Sequence, residues 1–144
     1  MRKLVTVALL LALAGCSSQG RVDGPVLTSP RPGLTDRGGF DAIVAGIVVY
    51  EADSNCLYLE LDGVRNPVIW PAGTRWQEDP PAVVLTGGVR AEPGTAVQGG
   101  GGYLSVDHIR ESVGDAVAVE VQRCADPAAS VAFFNTGSRV ELQE

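Results

Sequence analysis

The chain has 144 residues, 45% hydrophobic and 19% charged, which allows one globular domain and excludes both a multidomain machine and a disordered polymer. Seventeen acidic residues outnumber eleven basic ones, for a formal charge of −6. Two of the positives, Arg2 and Lys3, stand at the extreme N-terminus and leave the remainder at −8, a balance that repels phosphate backbones and makes nucleic acid an unexpected partner.

Arg2 and Lys3 precede an apolar run over residues 4–14, interrupted only by Thr6. At eleven residues the run is shorter than the roughly 20 helical residues a bilayer core requires, and it matches the h-region of a secretory signal. It closes on Leu13-Ala14-Gly15-Cys16. Small residues let a peptidase close on the backbone there, and the Cys16 thiol is a nucleophile. These four residues resemble the lipobox of bacterial lipoproteins. The resemblance implies removal of residues 1–15, a diacylglyceryl thioether on Cys16 with a further acyl chain such as palmitate on its amine, and an exported domain anchored to the cell membrane or outer membrane. At roughly 0.8 kcal/mol per buried methylene, several acyl chains hold a protein on a membrane unaided. Ser17 also stands where lipoprotein sorting associates Asp with inner-membrane retention.

With Cys16 so assigned, Cys56 and Cys124 remain, an even pair in an oxidising compartment and therefore an expected disulfide. The bridge would close 67 intervening residues, worth roughly 4 kcal/mol in chain entropy. There is no Cys-x-x-Cys, and His108 is the single histidine. No metal site and no cofactor are expected.

Residues 16–40 combine the lipidated cysteine with a Gly-, Pro- and Ser-rich stretch in which Pro25, Pro30 and Pro32 are closely spaced. Without helical or alternating periodicity it reads as a flexible tether, followed by a single domain over residues 41–144. Residues 42–50 (AIVAGIVVY) are β-branched, with Gly46 marking a bend. Residues 56–61 alternate strictly and predict a half-buried strand. Asp62-Gly63 is a hairpin signal, after which residues 67–70 (PVIW) resume the sheet. Residues 82–85 and 95–98 are short strand candidates, separated by turns at Gly87-Gly88 and Pro93-Gly94.

Residues 104–113 fit either a helix face (Val106, Ile109, Val113) or a strand (Leu104, Val106), whereas residues 116–122 alternate Val117, Val119 and Val121 against Ala118, Glu120 and Gln122 and predict a strand. Residues 131–134 and 139–142, around Asn135-Thr136-Gly137, suit either a final hairpin or an ordered tail. The fold class is thus all-β with at most one short helix, a small antiparallel barrel or sandwich. A bent first strand, a meander and a short helix before the last main strand resemble the OB-fold; a β-sandwich is the alternative. In an OB-fold the second and fifth strands are not neighbours, so the disulfide would have to join their flanking loops. Cys56, the run from Trp70 to Thr74 and the run from Gly99 to Tyr103 together resemble small secreted bacterial lipoprotein domains of unknown function.

Several features bear on chemistry. The four glycines of residues 99–102 lack the Gly-Lys-Ser/Thr of a phosphate loop and the spacing of a dinucleotide loop; they suit a hairpin tip or a close approach of two backbones. Ser105, Asp107 and His108 spell a triad on paper, but no Gly-x-Ser-x-Gly elbow accompanies them. Asp53-Ser54-Asn55 and Glu60-Leu61-Asp62 lack the full calcium-loop pattern and suit turns. Trp70, Arg75 and Trp76, with Tyr103 beyond the glycines, are the candidate ligand-binding residues: indoles on a loop stack on sugars or anchor a protein, and Arg75 meets a carboxylate. The expectation is a lipid-anchored envelope module that binds a protein, glycan or peptide without catalysis. The alternative is a small hydrolase or metal-dependent enzyme using His108 and nearby carboxylates.

Overall fold

The computed structural model describes residues 19–31, 38–126 and 129–144. Strands account for 45% of the described residues, which also hold two short helices. In chain order these are β1 (Arg21–Asp23), β2 (Val26–Thr28), β3 (Ala42–Glu51), β4 (Cys56–Leu61), β5 (Val64–Trp70), β6 (Arg75–Gln77), β7 (Ala82–Val84), β8 (Arg90–Ala91), β9 (Ala96–Leu104), α1 (Val106–Ser112), α2 (Asp115–Cys124), β10 (Val131–Phe134) and β11 (Glu141–Gln143).

Five strands form a closed ring of hydrogen-bonded neighbours. β3 pairs antiparallel with β4 and β4 with β5; β5 runs parallel to β10; β10 and then β3 flank β9 antiparallel. β3 changes partner along its length, residues 42–47 lying on β9 and residues 47–51 on β4. Gly46 sits at the handover, where a Cβ would lie 3.0 Å from the Glu60 carbonyl oxygen and 3.1 Å from the Leu59 Cβ. Asp62 and Gly63, at φ 52° and 76°, make the expected two-residue turn between the paired Leu61 and Val64.

The strand period of two sends alternate side chains to two cores. Val44, Val48, Leu59, Val68, Trp70 and Phe134 fill the ring. Leu27, Ile69, Val131 and Phe133 face outward, against Ile109, Val113, Val117 and Val121 of the helical segment. β2 and β10 both run parallel to β5. Covered on both faces, β10 is an unbroken apolar run, VAFF, rather than an alternating one. A second sheet, β6-β7-β8, inserts between β5 and β9 and contributes Val83 and Ala91 to the inner core, joined by Leu85 just after β7.

Four expectations require correction. First, residues 116–122 are helical, which gives two helices rather than at most one. Val117, Ala118 and Val121 are buried whereas Val119 is 56% exposed, so the alternation does not describe the buried face. The face is the four-residue recurrence Ile109, Val113, Val117, Val121. Because the ring strands already have neighbours on both sides, a segment here must satisfy its own backbone, and a helix does so.

Second, residues 21–28 of the expected tether belong to the sheet. β1 and β2 pair antiparallel through the Asp23-Gly24-Pro25-Val26 turn, with Gly24 at φ 57°, and Val26 is fully buried. Third, the sheet is not purely antiparallel, since β5 has a parallel neighbour in both β2 and β10. Fourth, the C-terminal strands do not pair with each other. β10 and β11 lie in tandem along β9, and residues 135–140 span the space opposite only Gly99 and Gly100, so four extra residues loop out.

The glycine run lies inside β9 rather than at a hairpin tip. A Cβ on Gly101 would collide with the Phe133 carbonyl oxygen, and one on Gly99 would lie 3.0 Å from Phe134 Cδ1. The close-approach reading therefore holds for these glycines.

Candidate binding site

β5 ends at Trp70, and the chain then turns through Pro71, Ala72 and Gly73, the last at φ 93°, before β6. The Thr74 amide donates to the Pro71 carbonyl at 3.2 Å, and the Ser29 amide to the Trp70 carbonyl at 3.0 Å. This turn therefore stands beside the end of β2. Trp70 is fully buried, its ring stacked on Phe134 with centroids 5.4 Å apart. Emptying such a site costs about 3–5 kcal/mol, so Trp70 is a core residue and not the exposed anchor its loop suggests. Trp76 is half-buried against Tyr50, with centroids 4.8 Å apart, and its amide donates to Asp23 Oδ2 at 3.1 Å. Arg75 is exposed on the same turn. Tyr103 is 42% exposed but lines a different hollow, with Asp107, Arg110 and Gln122. The four candidates do not converge; Arg75 and Trp76 stay together and the other two part from them.

Two clefts flank the turn and share Ala72 and Thr74. One, of about 350 Å³, lies between the turn, Leu85 and the looped-out residues Ser138, Arg139 and Val140. The other, of about 600 Å³, runs between the turn, Thr28 and Ser29, and the chain entering β1. Three buried side-chain polar atoms among the described residues have no protein partner: Ser29 Oγ, Trp70 Nε1 and Thr74 Oγ1. Ser29 and Thr74 line the second cleft, whereas Trp70 Nε1 belongs to an indole packed in the inner core. An unpartnered buried polar group costs about 1–3 kcal/mol, and neither Ser29 nor Thr74 is a candidate in the sequence. Ser29 and Thr74 carry no sequence signal of their own, because both are ordinary turn residues until the fold buries them.

The residues of the alternative catalytic reading are engaged elsewhere. Ser105 Oγ accepts from the His108 backbone amide at 3.2 Å as the cap of α1, Asp107 pairs with Arg110 at 3.2 Å, and the exposed His108 ring rests edge-on to Phe40, 6.0 Å away. Ser105 and Asp107 are thereby committed to helix capping and an ion pair. Among the described residues no group of three or more His, Cys, Asp or Glu is placed to hold a metal ion. Glu60 and Glu51 instead share Arg65, at 2.7 and 2.8 Å, and the Glu60 hydrogen bond heads the causes that raise the guanidinium above its ordinary pKa.

The expected disulfide joins Cys56, at the start of β4, to Cys124, at the end of α2. Its second cysteine closes a helix rather than following a strand, so no pairing of adjacent strands is involved. Beside it the Tyr58 hydroxyl donates to the Cys124 carbonyl at 3.0 Å and Arg123 Nη1 donates to the Ser54 carbonyl. Burial first, and the Glu51 carboxylate second, push the Tyr58 phenol above its ordinary pKa of 10.0. Cys16, the expected lipidation site, lies outside the described residues. No protein-family model, no curated protein and no solved structure matches the chain.

Proposed function

We propose that this chain is a lipid-anchored binding module of the cell envelope, exported and held at the cell membrane or outer membrane through Cys16, and that its ring is OB-like. The OB-like reading draws support from the ring order, in which the third and fifth ring strands, β5 and β10, are parallel neighbours while the first, β3, contacts both the second and the fourth. The disulfide does not oppose it, because Cys124 belongs to a helix rather than to the fifth strand.

The observation that carries the binding reading is the pair of clefts flanking the 71–75 turn, with Arg75 exposed on it. The turn is preorganised by Gly73 and by its own hydrogen bond, so little ordering entropy is lost when a partner docks. The occupant is an envelope protein, glycan or peptide, and Arg75 and Trp76 are the side chains that meet it.

Fractionation and fluorescence test both halves of this reading. Wild-type chain partitions with membranes, and Cys16→Ala releases it or blocks its processing; a processed Cys16→Ala chain that stays tightly membrane-bound overturns the anchor. Tryptophan fluorescence of the wild type responds to envelope glycans or stem peptides and that of a folded Trp76→Ala variant binds them more weakly. Equal binding by the variant overturns the role of the turn.

A further inference from the structure

The cleft of about 600 Å³ beside the turn is lined by Arg21, Arg31 and Arg75 together with Thr28, Ser29 and Thr74. Five other arginines among the described residues, Arg65, Arg90, Arg110, Arg123 and Arg139, each stand within 4 Å of a carboxylate. The three that line this cleft make no ion pair among the described residues, and no Asp or Glu among those residues lines it. In a chain with an excess of acidic residues, the unpaired guanidinium groups thus collect in one place. The neighbouring carboxylate of Asp23 accepts from the Trp76 amide. Ser29 and Thr74, 2% and 4% exposed, also line the cleft, with their hydroxyl oxygens buried.

We propose that this cleft binds a phosphate group. Three guanidinium groups offer more hydrogen bonds than the two oxygens of one carboxylate can accept, whereas a phosphate offers more oxygens and a larger charge. Two sources supply that chemistry: free phosphate, and the headgroup of an anionic phospholipid. The second rests on the anchor reading above. Gln19 and Gly20 also line the cleft, and Gly20 is fixed to the domain by its amide, which donates to the Val113 carbonyl at 2.8 Å. Gln19 follows Cys16 by three residues in the sequence. A domain anchored through Cys16 meets the headgroups of its own membrane.

Arginine modification by phenylglyoxal, mapped by mass spectrometry on the full chain, reads the site residue by residue. In neutral detergent micelles inorganic phosphate protects Arg21, Arg31 and Arg75 relative to Arg139, whose side chain is 90% exposed, and chloride at equal ionic strength does not. Arg75→Gln weakens the phosphate dependence by roughly tenfold, the loss of one charge-assisted contact. Reconstitution without phosphate then compares vesicles of phosphatidylcholine alone with vesicles containing phosphatidylglycerol. Protection in micelles identifies a site for free phosphate, and protection confined to phosphatidylglycerol vesicles identifies the headgroup. Absence of selective protection in both arms, or protection that Arg75→Gln leaves intact, overturns the proposal. A chain that proves to be unlipidated removes only the headgroup source, so failure of the anchor and failure of the cleft are told apart.

Discussion

Tyr58 shows how one residue couples a strand to a helix end and to pH. Its hydroxyl donates to the Cys124 carbonyl at 3.0 Å, and burial, then Glu51, raises its pKa above 10.0. Below that value the phenol is protonated in the folded and unfolded chains alike. As the pH rises from 10.0 through the raised folded value, the unfolded chain ionises first, so folding stability falls with pH in that window. Urea denaturation across about pH 9 to 11 should show this slope in the wild type and a shallower one in Tyr58→Phe. At neutral pH the variant should lose about 0.5–1.5 kcal/mol, the net worth of one hydrogen bond. An identical alkaline slope in the two proteins contradicts the assignment. At this same scale the sequence was informative about the cysteines and silent about Ser29 and Thr74. Cysteine type and count point to a disulfide in any fold, but an orphaned hydroxyl exists only once neighbours have excluded water.

Among the elements, β9 is the one whose composition most needs explanation, since four consecutive glycines weaken a strand. Each neighbour explains a different part. Gly101 faces the Phe133 backbone, which cannot yield as a side chain can, whereas the atoms nearest a Cβ on Gly100 are side-chain atoms at 3.6 Å. Gly101→Ala should therefore cost about 1–3 kcal/mol as an overpacked site. Gly100→Ala should be neutral or stabilising by about 0.4–1 kcal/mol, because it removes freedom from the unfolded chain. Equilibrium denaturation of the pair decides it; equal effects would mean that backbone crowding is not why the run is glycine. The reading of α2 as a strand failed for a related reason. Residues 116–122 satisfy both periods, and the buried Ala118 beside the exposed Val119 is decided by which sheet face the segment covers. A window spanning both helices would have found the four-residue spacing from Ile109 to Val121.

For the whole molecule, the disulfide ties the helical layer to the ring. It joins residues 68 apart, and Arg123 and Tyr58 add hydrogen bonds across the same seam. Replacing both Cys56 and Cys124 by Ser should lower stability by roughly 2–4 kcal/mol, mainly through the entropy returned to the unfolded chain. At this size each 1 kcal/mol corresponds to several degrees of melting temperature. A melting temperature that is the same for the wild type and the double variant, and unaffected by reductant, would show that the bridge does not constrain the unfolded state. The outer helices should loosen before the ring, because the ring closes through its own ladders and the helices depend on packing against Leu27, Ile69, Val131 and Phe133. Hydrogen exchange resolved by residue reports that order.

Local chemistry determined what the sequence disclosed by itself. The Asp62-Gly63 turn, the presence of strands around it, the Cys56–Cys124 bridge and the mainly β character follow from residue type and short-range period, whereas the half-buried face expected of residues 56–61 does not appear, since Cys56, Leu57, Tyr58 and Leu59 are all buried and Leu61 is exposed. Only tertiary structure decided the rest. The parallel alignment of β2 and β10 on β5 joins segments far apart in the chain, and no local pattern encodes that choice. It buries both faces of β10, draws residues 21–28 out of the expected tether into the sheet, and leaves residues 116–122 to cover the outer face as a helix. The same alignment sets the end of β2 beside the 71–75 turn, and so gathers Arg21, Arg31 and Arg75 around one cleft, because a site is made by the packing of distant segments and not by the sequence of any one of them.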